Sequence, residues 1–235
     1  EFIANISHEL RTPIHGVMGM LDALERTGLT TKQRAFTDIA QRSAGNLLNQ
    51  VNDVLDFSKI DAGLMTFSSQ PVDVSAVIEQ EILLHRHDTE QKGLKLEVET
   101  SAIDGLTFQG DPVRIKQVLT NLLSNARKFT HSGQITVSSR ALKQDEKHYL
   151  VQIIVSDSGI GVAPENLGKI LSAFEQGDAS TTRTYGGTGL GLAIVNQIAT
   201  YYNGGVSVKS KAGIGSTFTV SFQLTIATSQ TEERA

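Results

Sequence analysis

Two asparagines and a lysine occur at helical spacing in the middle of the chain. Asn121 and Asn125 are four residues apart, so their amides project from one face of a helix, and Lys128 follows one turn later. Amide oxygens suit a hard cation such as Mg²⁺, and an ammonium group suits phosphate charge. The trio therefore favours a magnesium–nucleotide site, although an isolated pair of asparagines more often belongs to a polar surface face.

Three glycine-rich segments could bring the backbone close to a phosphate. Asp157-Ser-Gly159-Ile-Gly161 follows a predicted strand, the glycines between residues 186 and 191 open a predicted helix, and those at 213 and 215 open the last strand. Glycine permits close approach of the backbone, and a helix N-terminus offers free N–H groups to an anion. None of the segments matches the P-loop or the Rossmann fingerprint. Together with the asparagine helix, they predict a nucleotide site of another type.

A second candidate for chemistry lies near the start of the chain, at His8 and Glu9. A heptad pattern places His8 at an outward-facing position, where an imidazole can act as a nucleophile while the Glu9 carboxylate takes its proton. His15 occupies the same heptad position but lacks the neighbouring Glu and Thr. We therefore favour His8 as the reactive histidine, against the alternative that it is an ordinary surface residue.

Hydrophobic periodicity predicts the elements that position these residues. Apolar residues at alternating spacings of four and three run through residues 10–24 and recur through residues 40–54, with a turn at 27–31 between them. The pattern predicts two amphipathic helices in an antiparallel hairpin. Because one hairpin cannot cover its own apolar stripe, we expect two copies to form a four-helix bundle. A monomeric hairpin docked on the rest of the chain is the alternative.

From about residue 72 the pattern changes to alternating strands and helices. Helices are predicted at 77–84, from Asp111-Pro112 onward and at 190–202, and strands at 94–99, 134–142, 148–156, 206–209 and 216–224. The chain is therefore expected to contain a helical hairpin at residues 1–66, an α/β domain at residues 67–226 and a flexible polar tail at residues 227–235.

Composition excludes several classes of protein. The chain has no cysteine, which excludes a disulfide scaffold, a thiolate zinc site and a cysteine nucleophile. Lys and Arg total 21 against 25 for Asp and Glu, and the net charge of −4 argues against binding to nucleic acid. Since no run of about 18 apolar residues is present, we expect no membrane contact by this part of the chain, and a cytoplasmic location.

The motifs resemble those of sensor histidine kinases, particularly the kinase core of hybrid two-component sensors. Residues 2–13, which include His8-Glu-Leu-Arg-Thr-Pro13, resemble the H box of that family, and residues 121–130 resemble its N box. Segments at 157–161, 170–176, 187–192 and 213–218 are similar to its G1, F, G2 and last glycine boxes. The ATP-binding half also resembles gyrase and heat-shock ATPases, which lack the H box.

The resemblance implies a fold, an activity and a cofactor. The fold would be an antiparallel helical hairpin dimerising into a four-helix bundle, followed by an α/β sandwich of the gyrase, heat-shock protein and histidine kinase ATPase type. The activity would be autophosphorylation of His8 by ATP with Mg²⁺, then phosphotransfer to an aspartate on the receiver domain of a response regulator, in cis or in trans. The parent protein would be anchored in the inner or plasma membrane.

The resemblance also implies roles for individual residues. His8 would accept the phosphoryl group, Glu9 would be the general base, and Thr12 would position a water when a partner regulator is dephosphorylated. Asn125 would hold Mg²⁺, and Asp157 would bind the adenine amino group. The remaining ATP-binding positions would be Asn121, Lys128, Gly159, Gly161, Phe174, Arg183, Gly187, Gly189, Gly191, Leu192 and Thr217.

Two positions depart from the family pattern. Arg127 stands where many relatives have an apolar residue, and Leu171 replaces the Phe that often begins the F box. The principal polar positions are all present, which favours an active kinase. Two other functions stay open: a kinase-like module that mainly heterodimerises with another sensor kinase and modulates it, and an ATPase without phosphotransfer, which the H box disfavours.

Overall fold

The computed structural model describes residues 2–173 and 189–227, and for residues 2–8 it describes the backbone alone. The chain divides into two compact units, Glu1–Met65 and Thr66–Ala235. Among the described residues, no helix combines the length and the apolarity that crossing a bilayer requires.

The first unit is a pair of long helices, α1 (Phe2–Glu25) and α2 (Thr31–Asp61). Helix α2 begins with a capping box, in which the Thr30 hydroxyl accepts a hydrogen bond from the Gln33 N–H and the Gln33 side chain accepts one from the Thr30 N–H. This reciprocal cap satisfies two backbone donors and fixes where the turn ends and α2 starts.

Polar side chains join the two helices at two levels of the hairpin. The Arg11 guanidinium donates to the Asn52 side-chain oxygen over 3.2 Å, and the Gln41 amide donates to the Asp22 carboxylate. As residue numbers rise along α1 they fall along α2, so the helices run antiparallel, as the heptad pattern predicts.

The hairpin buries little of its apolar surface by itself. Among its described side chains only Thr37 and Leu55 are buried, whereas Met20 is 76% exposed and Phe36 is 60% exposed. The other large apolar side chains exposed on the two helices are Leu10, Val17, Leu24, Ile39, Leu47 and Val54. Apolar surface of this extent on a helix pair is typical of an interaction face.

Within the described residues, the second unit is built on a seven-stranded mixed sheet. The strands are β1 (Gln70–Asp73), β2 (Leu94–Glu99), β3 (Thr107–Gly110), β4 (Gly133–Lys143), β5 (His148–Asp157), β6 (Gly205–Lys211) and β7 (Gly215–Ile226). Their order is β1-β3-β7-β5-β4-β2, and β6 pairs with the other end of β7. Strands β2 and β4 pair in parallel, and the other pairs are antiparallel.

Among the described residues of this unit, three α-helices accompany the sheet. They are α3 (Val74–Gln91), α4 (Pro112–Phe129) and α5 (Gly191–Tyr201), and short 3-10 turns lie at Ser101–Ile103 and Pro164–Asn166. Helix α4 contacts α3, α5 and β5. Along β5, the buried residues Val151, Ile153 and Val155 alternate with less buried ones, so they mark the face of the sheet that the helices cover. The hydrophobic core of the unit lies between these two layers.

The sequence pattern predicts most of these elements but not all of their ends. The strand predicted at 94–99 matches β2, and the helix predicted from Asp111-Pro112 matches α4. The helix predicted at 77–84 is longer at both ends, because Asp73 caps its start and it continues to Gln91. The pattern does not predict β1 and β3, since four-residue strands are too short to show a period.

Candidate functional site

Helix α4, which carries the asparagine–lysine trio, begins at a buried cap. The Asp111 carboxylate accepts hydrogen bonds from the backbone N–H groups of Val113 (2.9 Å), Arg114 (3.2 Å) and Ser68 (2.8 Å). Burial by itself raises the pKa of Asp111, but these hydrogen bonds outweigh burial and hold the pKa below its ordinary value. An ionised cap therefore fixes where α4 starts and sets the position of the residues further along it.

The trio occupies one edge of α4, beside its buried face. The buried face consists of Ile115, Val118, Leu119, Leu122, Leu123 and Ala126. Asn121, Asn125 and Lys128 are each partly exposed, and at about 100° per residue they cluster on a single edge of the helix. The structure thus brings the three predicted residues together on one polar edge.

The start of α5 lies against this edge. The Asn121 side-chain amide donates to the Gly191 carbonyl over 3.3 Å, and a Cβ at Gly191 would come within 3.4 Å of the Asn121 side-chain oxygen. Gly189 has a φ of +73°, a conformation that favours glycine, and Leu192 belongs to the first turn of α5. The first-turn N–H groups of α5 and the amide edge of α4 can therefore serve one anionic ligand.

Asn125 and Lys128 are the residues predicted to bind a cation and phosphate. Within the described part of the chain, the Asn125 amide makes no hydrogen bond, and its oxygen can therefore bind a hard cation such as Mg²⁺. The Lys128 ammonium lies 4.7 Å from the centroid of the Phe129 ring, and burial lowers the pKa of Lys128. A partly desolvated ammonium interacts more strongly with an anion than one in bulk water.

Asp157 ends β5 as a half-buried carboxylate. Burial raises its pKa, while the Gly159 N–H, which donates to the carboxylate over 2.8 Å, and the Ser216 N–H act in the opposite direction. Thr217, on the neighbouring strand β7, pairs with Ser156, and their hydroxyls are 2.9 Å apart. The sheet register pairs Asp157 with Ser216, so the predicted adenine-binding residue Thr217 occupies the next position along β7, and Asp157 and Thr217 line the same pocket.

An open pocket of about 360 Å³ lies at this end of the sheet. Asp157, Ser216 and Thr217 line it, together with residues of β6 that include Lys209 and Lys211. Its volume lies within the range of about 300–1,000 Å³ that small-molecule sites occupy. A carboxylate in its wall can accept a hydrogen bond from an exocyclic amine such as that of adenine.

The loop after β5 is held between α4 and the β6–β7 turn. The Ile160 N–H donates to the Phe129 carbonyl over 3.1 Å. A Cβ at Gly159 would overlap that same carbonyl, and one at Gly161, where φ is +65°, would overlap the backbone of Lys211. Glycine is therefore required at both positions, and the loop joins the trio-bearing helix to the Asp157 pocket.

The hairpin carries the other predicted site. The backbone of α1 includes His8, and α1 continues through Pro13. The side chains of Glu9 and Thr12 are exposed, one residue and one turn beyond His8 respectively. Glu9 and Thr12 thus lie at the surface of the helix, and the roles expected for them stay predictions.

Three predicted ATP-binding residues lie outside the described part of the chain. They are Phe174, Arg183 and Gly187. Of the predicted F box, the structure describes only residues 170–173. The roles expected for these residues stay predictions.

Ser210 of β6 supports the pocket, although no motif in the sequence indicates it. Its hydroxyl accepts a hydrogen bond from the Val162 N–H over 2.8 Å, donates to the Gly215 carbonyl over 2.9 Å and lies 2.9 Å from the Ser216 hydroxyl. These contacts connect the loop after β5 to the β6–β7 turn. Val162 and Ser210 are 48 residues apart, so no local spacing could have indicated their contact.

Two protein-family models match this chain in consecutive order. Residues 1–63 match the His Kinase A (phospho-acceptor) domain, and residues 110–226 match the histidine kinase-, DNA gyrase B- and HSP90-like ATPase family. The chain therefore belongs to the histidine kinases, with a phospho-acceptor hairpin followed by an ATPase domain.

Individual relatives agree with this family membership. The chain is 41% identical over 220 residues to the signal transduction histidine-protein kinase BarA of Escherichia coli, a match that covers 93% of this chain and 24% of BarA. It is 38% identical over 235 residues to the sensor protein GacS of Pseudomonas syringae, covering 99% of this chain and 26% of GacS. The chain thus spans about a quarter of the length of these relatives.

A solved structure gives the same result for the fold. The full-length structure of ShkA in complex with AMPPNP is similar with a TM-score of 0.78 and 35% identity, over 97% of this chain and 47% of ShkA. The predicted fold class, a helical N-terminal part followed by a mixed α/β ATPase domain, is therefore confirmed.

Proposed function

We propose that this chain is the autophosphorylating core of a two-component signalling kinase, in which ATP phosphorylates His8. One observation carries the proposal: Asn121, on the edge of α4 that also carries Asn125 and Lys128, contacts the N-terminus of α5, in a chain whose first 63 residues match a phospho-acceptor domain. The combination supplies a site for nucleotide phosphates and a histidine to receive one of them.

In this proposal the second unit binds ATP along α4. Asp157 accepts a hydrogen bond from the adenine amino group, and Thr217 lies beside it. Asn121, Lys128 and the first turn of α5 contact the phosphates, and the glycines of the loop after β5 form the wall of the pocket. Asn125 holds Mg²⁺, which when bound neutralises negative charge on the phosphates.

The hairpin supplies the nucleophile for phosphoryl transfer. A neutral imidazole nitrogen of His8 attacks the γ-phosphorus, a phosphorus–nitrogen bond forms, and the bond to the β-phosphate oxygen breaks to release ADP. Glu9 accepts the proton that the imidazole loses. Because phosphoryl transfer needs mainly alignment and charge neutralisation, the protein contributes chiefly by positioning these groups.

The partners follow from the hairpin surface and from the family. The exposed apolar stripe of α1 and α2 is complementary to a second copy of the same stripe, so we infer a homodimer through a four-helix bundle. The phosphoryl group passes from His8 to an aspartate on a receiver domain, in cis or in trans. Thr12, one turn beyond His8, positions a water when the regulator is dephosphorylated.

Labelling with ATP that carries ³²P in the γ-phosphate tests this proposal. With Mg²⁺, the wild-type chain should acquire a label that acid removes and base does not, as expected for a phosphohistidine. His8→Gln should abolish the label, whereas the matched control His15→Gln should retain it. Label that persists in His8→Gln, or ATP binding without any label in the wild type, would contradict the proposal.

A further inference from the structure

Arg127, which departs from the family pattern, has a partner on the neighbouring helix. Its guanidinium forms an ion pair with the Asp88 carboxylate of α3. One turn beyond Asp88, the Lys92 ammonium donates hydrogen bonds to the backbone carbonyls of Arg127 and of Lys128. The end of α3 thus contacts the last turn of α4, which carries Lys128, the lysine proposed to bind phosphate.

A third polar contact joins α3 and α4 nearer to their N-termini. Glu81 of α3 is only 2% exposed, and its carboxylate accepts a hydrogen bond from the Thr120 hydroxyl over 2.7 Å. The Lys116 ammonium lies 2.9 Å from the other oxygen of Glu81. Glu81 and Asp88 fall on one face of α3, and Lys92, its C-cap residue, continues that face, so the polar contacts form a row along most of α4.

This row meets α4 on a side different from the nucleotide edge. At about 100° per residue, the α3-facing positions 116, 120 and 127 lie about a third of a turn from positions 121, 125 and 128. The α3 contacts can therefore fix the rotation and axial position of α4 without covering the residues proposed to bind ATP.

The backbone carbonyls at the end of α4 are all satisfied. The last four carbonyls of a helix have no partner within it. In α4, the Ala126 carbonyl accepts from the Thr130 N–H over 3.0 Å, and the Phe129 carbonyl accepts from the Ile160 N–H over 3.1 Å. The two between them are those that Lys92 caps. Lys92 is therefore the side chain that orders this turn, while Phe129 is held separately by the loop after β5.

We propose that Lys92 is a positioning residue of the ATP site, which holds the last turn of α4 so that Lys128 faces the nucleotide phosphates. The inference rests on the proposed function, because it assigns Lys128 to phosphate. Lys92 itself stays on the α3 side of the helix and need not touch ATP. Burial, and then the nearby Arg127 guanidinium, lower the pKa of Lys92, in agreement with an ammonium held against the helix end.

A comparison of ATP with adenosine separates positioning from general stabilisation. Because Lys92 acts on the phosphate end of the site, Lys92→Met should raise the dissociation constant for MgATP by about three- to tenfold, equivalent to about one hydrogen bond. The dissociation constant for adenosine, which has no phosphate, should stay unchanged. Lys92→Arg, which keeps donors and charge, should restore MgATP affinity. Calorimetric and NMR titrations of the full chain would measure these constants.

The matched control, Lys95→Met, also removes one lysine charge near the end of α3. Lys95 lies in β2 and forms an ion pair with Glu97 instead of contacting α4, so this substitution should leave MgATP affinity unchanged. Equal affinity for MgATP in wild type and Lys92→Met would overturn the inference while leaving the proposed function intact. A parallel loss of adenosine affinity and melting temperature would also overturn it, by assigning Lys92 a purely structural role. Failure of the wild type to bind MgATP would overturn both proposals.

Discussion

The two units of this chain complete their hydrophobic cores in different ways. In the second unit, side chains such as Phe108, Phe222 and Ile194 have no exposed surface, because helices cover one face of the sheet. In the hairpin, Met20 and Phe36 are mostly exposed, and Leu55 is the one large apolar side chain that is buried among those the structure describes. The ATPase domain is therefore self-sufficient, whereas the hairpin lacks a covering surface.

This difference predicts that the stability of the hairpin, but not that of the ATPase domain, depends on protein concentration. A fold that is completed by a second copy gains stability by mass action, and its unfolding midpoint rises with protein concentration. A fold that completes its own core does not. The proposed phosphate acceptor thus lies in the unit whose apolar side chains are left exposed, and the proposed nucleotide site lies in the unit that covers its own core.

The largest effect should come from truncating the core of the second unit. Phe222→Ala is expected to lower its free energy of unfolding by about 3–5 kcal/mol, because a large cavity would form in a closely packed core. Phe36→Ala should leave that unit unchanged and weaken self-association instead. All four tyrosines lie after residue 66 and the chain has no tryptophan, so tyrosine fluorescence during urea unfolding reports on the second unit alone.

Ultracentrifugation supplies the complementary measurement for the hairpin. The wild type is expected to form a dimer, Phe36→Ala to dissociate at higher protein concentration than the wild type, and Phe222→Ala in low urea to match the wild type. Equal destabilisation of the second unit by both substitutions would contradict it.

The next largest effect is a loss of catalytic activity with no loss of folding stability. Asn125→Ala should reduce autophosphorylation by on the order of a hundredfold, comparable with the loss of one group that stabilises transition-state charge. Ser124→Ala, the adjacent residue on the same helix, serves as the matched control and should retain activity. The dimer and the unfolding transition should persist in both variants, since neither residue belongs to a hydrophobic core. If Asn125→Ala autophosphorylates at the wild-type rate, the proposal that Asn125 binds Mg²⁺ is wrong.

The smallest effect concerns the N-caps of α4 and α2, of which only the α4 cap, Asp111, carries a charge. Asp111→Asn should cost the second unit about 1 kcal/mol at neutral pH, since asparagine keeps one acceptor oxygen for the helix N–H groups but loses the negative charge and the oxygen that accepts from the Ser68 N–H. The pKa of Asp111 is lowered in the folded state, so its contribution is present above the unfolded-state pKa of about 3.8 and is lost as pH falls through the folded-state value. Urea unfolding of wild type and variant at several pH values would measure the difference.

The hairpin provides the control for this pH dependence. Its cap consists of Thr30 and Gln33, which are both neutral, so the cost of Thr30→Ala should not change with pH. A difference between wild type and Asp111→Asn that stays constant down to pH 2 would show that the Asp111 charge does not contribute.

The sequence predicts those parts of the fold and site that depend on local spacing. The heptad pattern indicates the antiparallel hairpin, and the four-residue spacing of Asn121 and Asn125 places them on one edge of α4. The glycines of the loop after β5 are identified by their pattern, and the structure adds the reason for Gly159 and Gly161, the overlap that a Cβ would cause.

Contacts between distant segments are what the sequence does not predict. Asp88 and Arg127 are 39 residues apart, and Lys92 reaches a carbonyl 35 residues away, so neither contact leaves a periodic signal. Arg127 is identified as a departure from the family pattern, but its ion pair depends on how α3 packs against α4. The short strand β3 similarly depends on pairing with β1 and β7 for its existence.

The position of β7 in the sheet has a consequence for synthesis of the protein. This strand spans Gly215–Ile226, yet it pairs with β3, β5 and β6 and carries Thr217 into the pocket beside Asp157. A ribosome makes the chain from its N-terminus, and domains fold as their residues emerge. The two helices of the hairpin can therefore form while the sheet still lacks one of its inner strands, and a nascent chain contains its proposed acceptor histidine long before its proposed nucleotide site is complete.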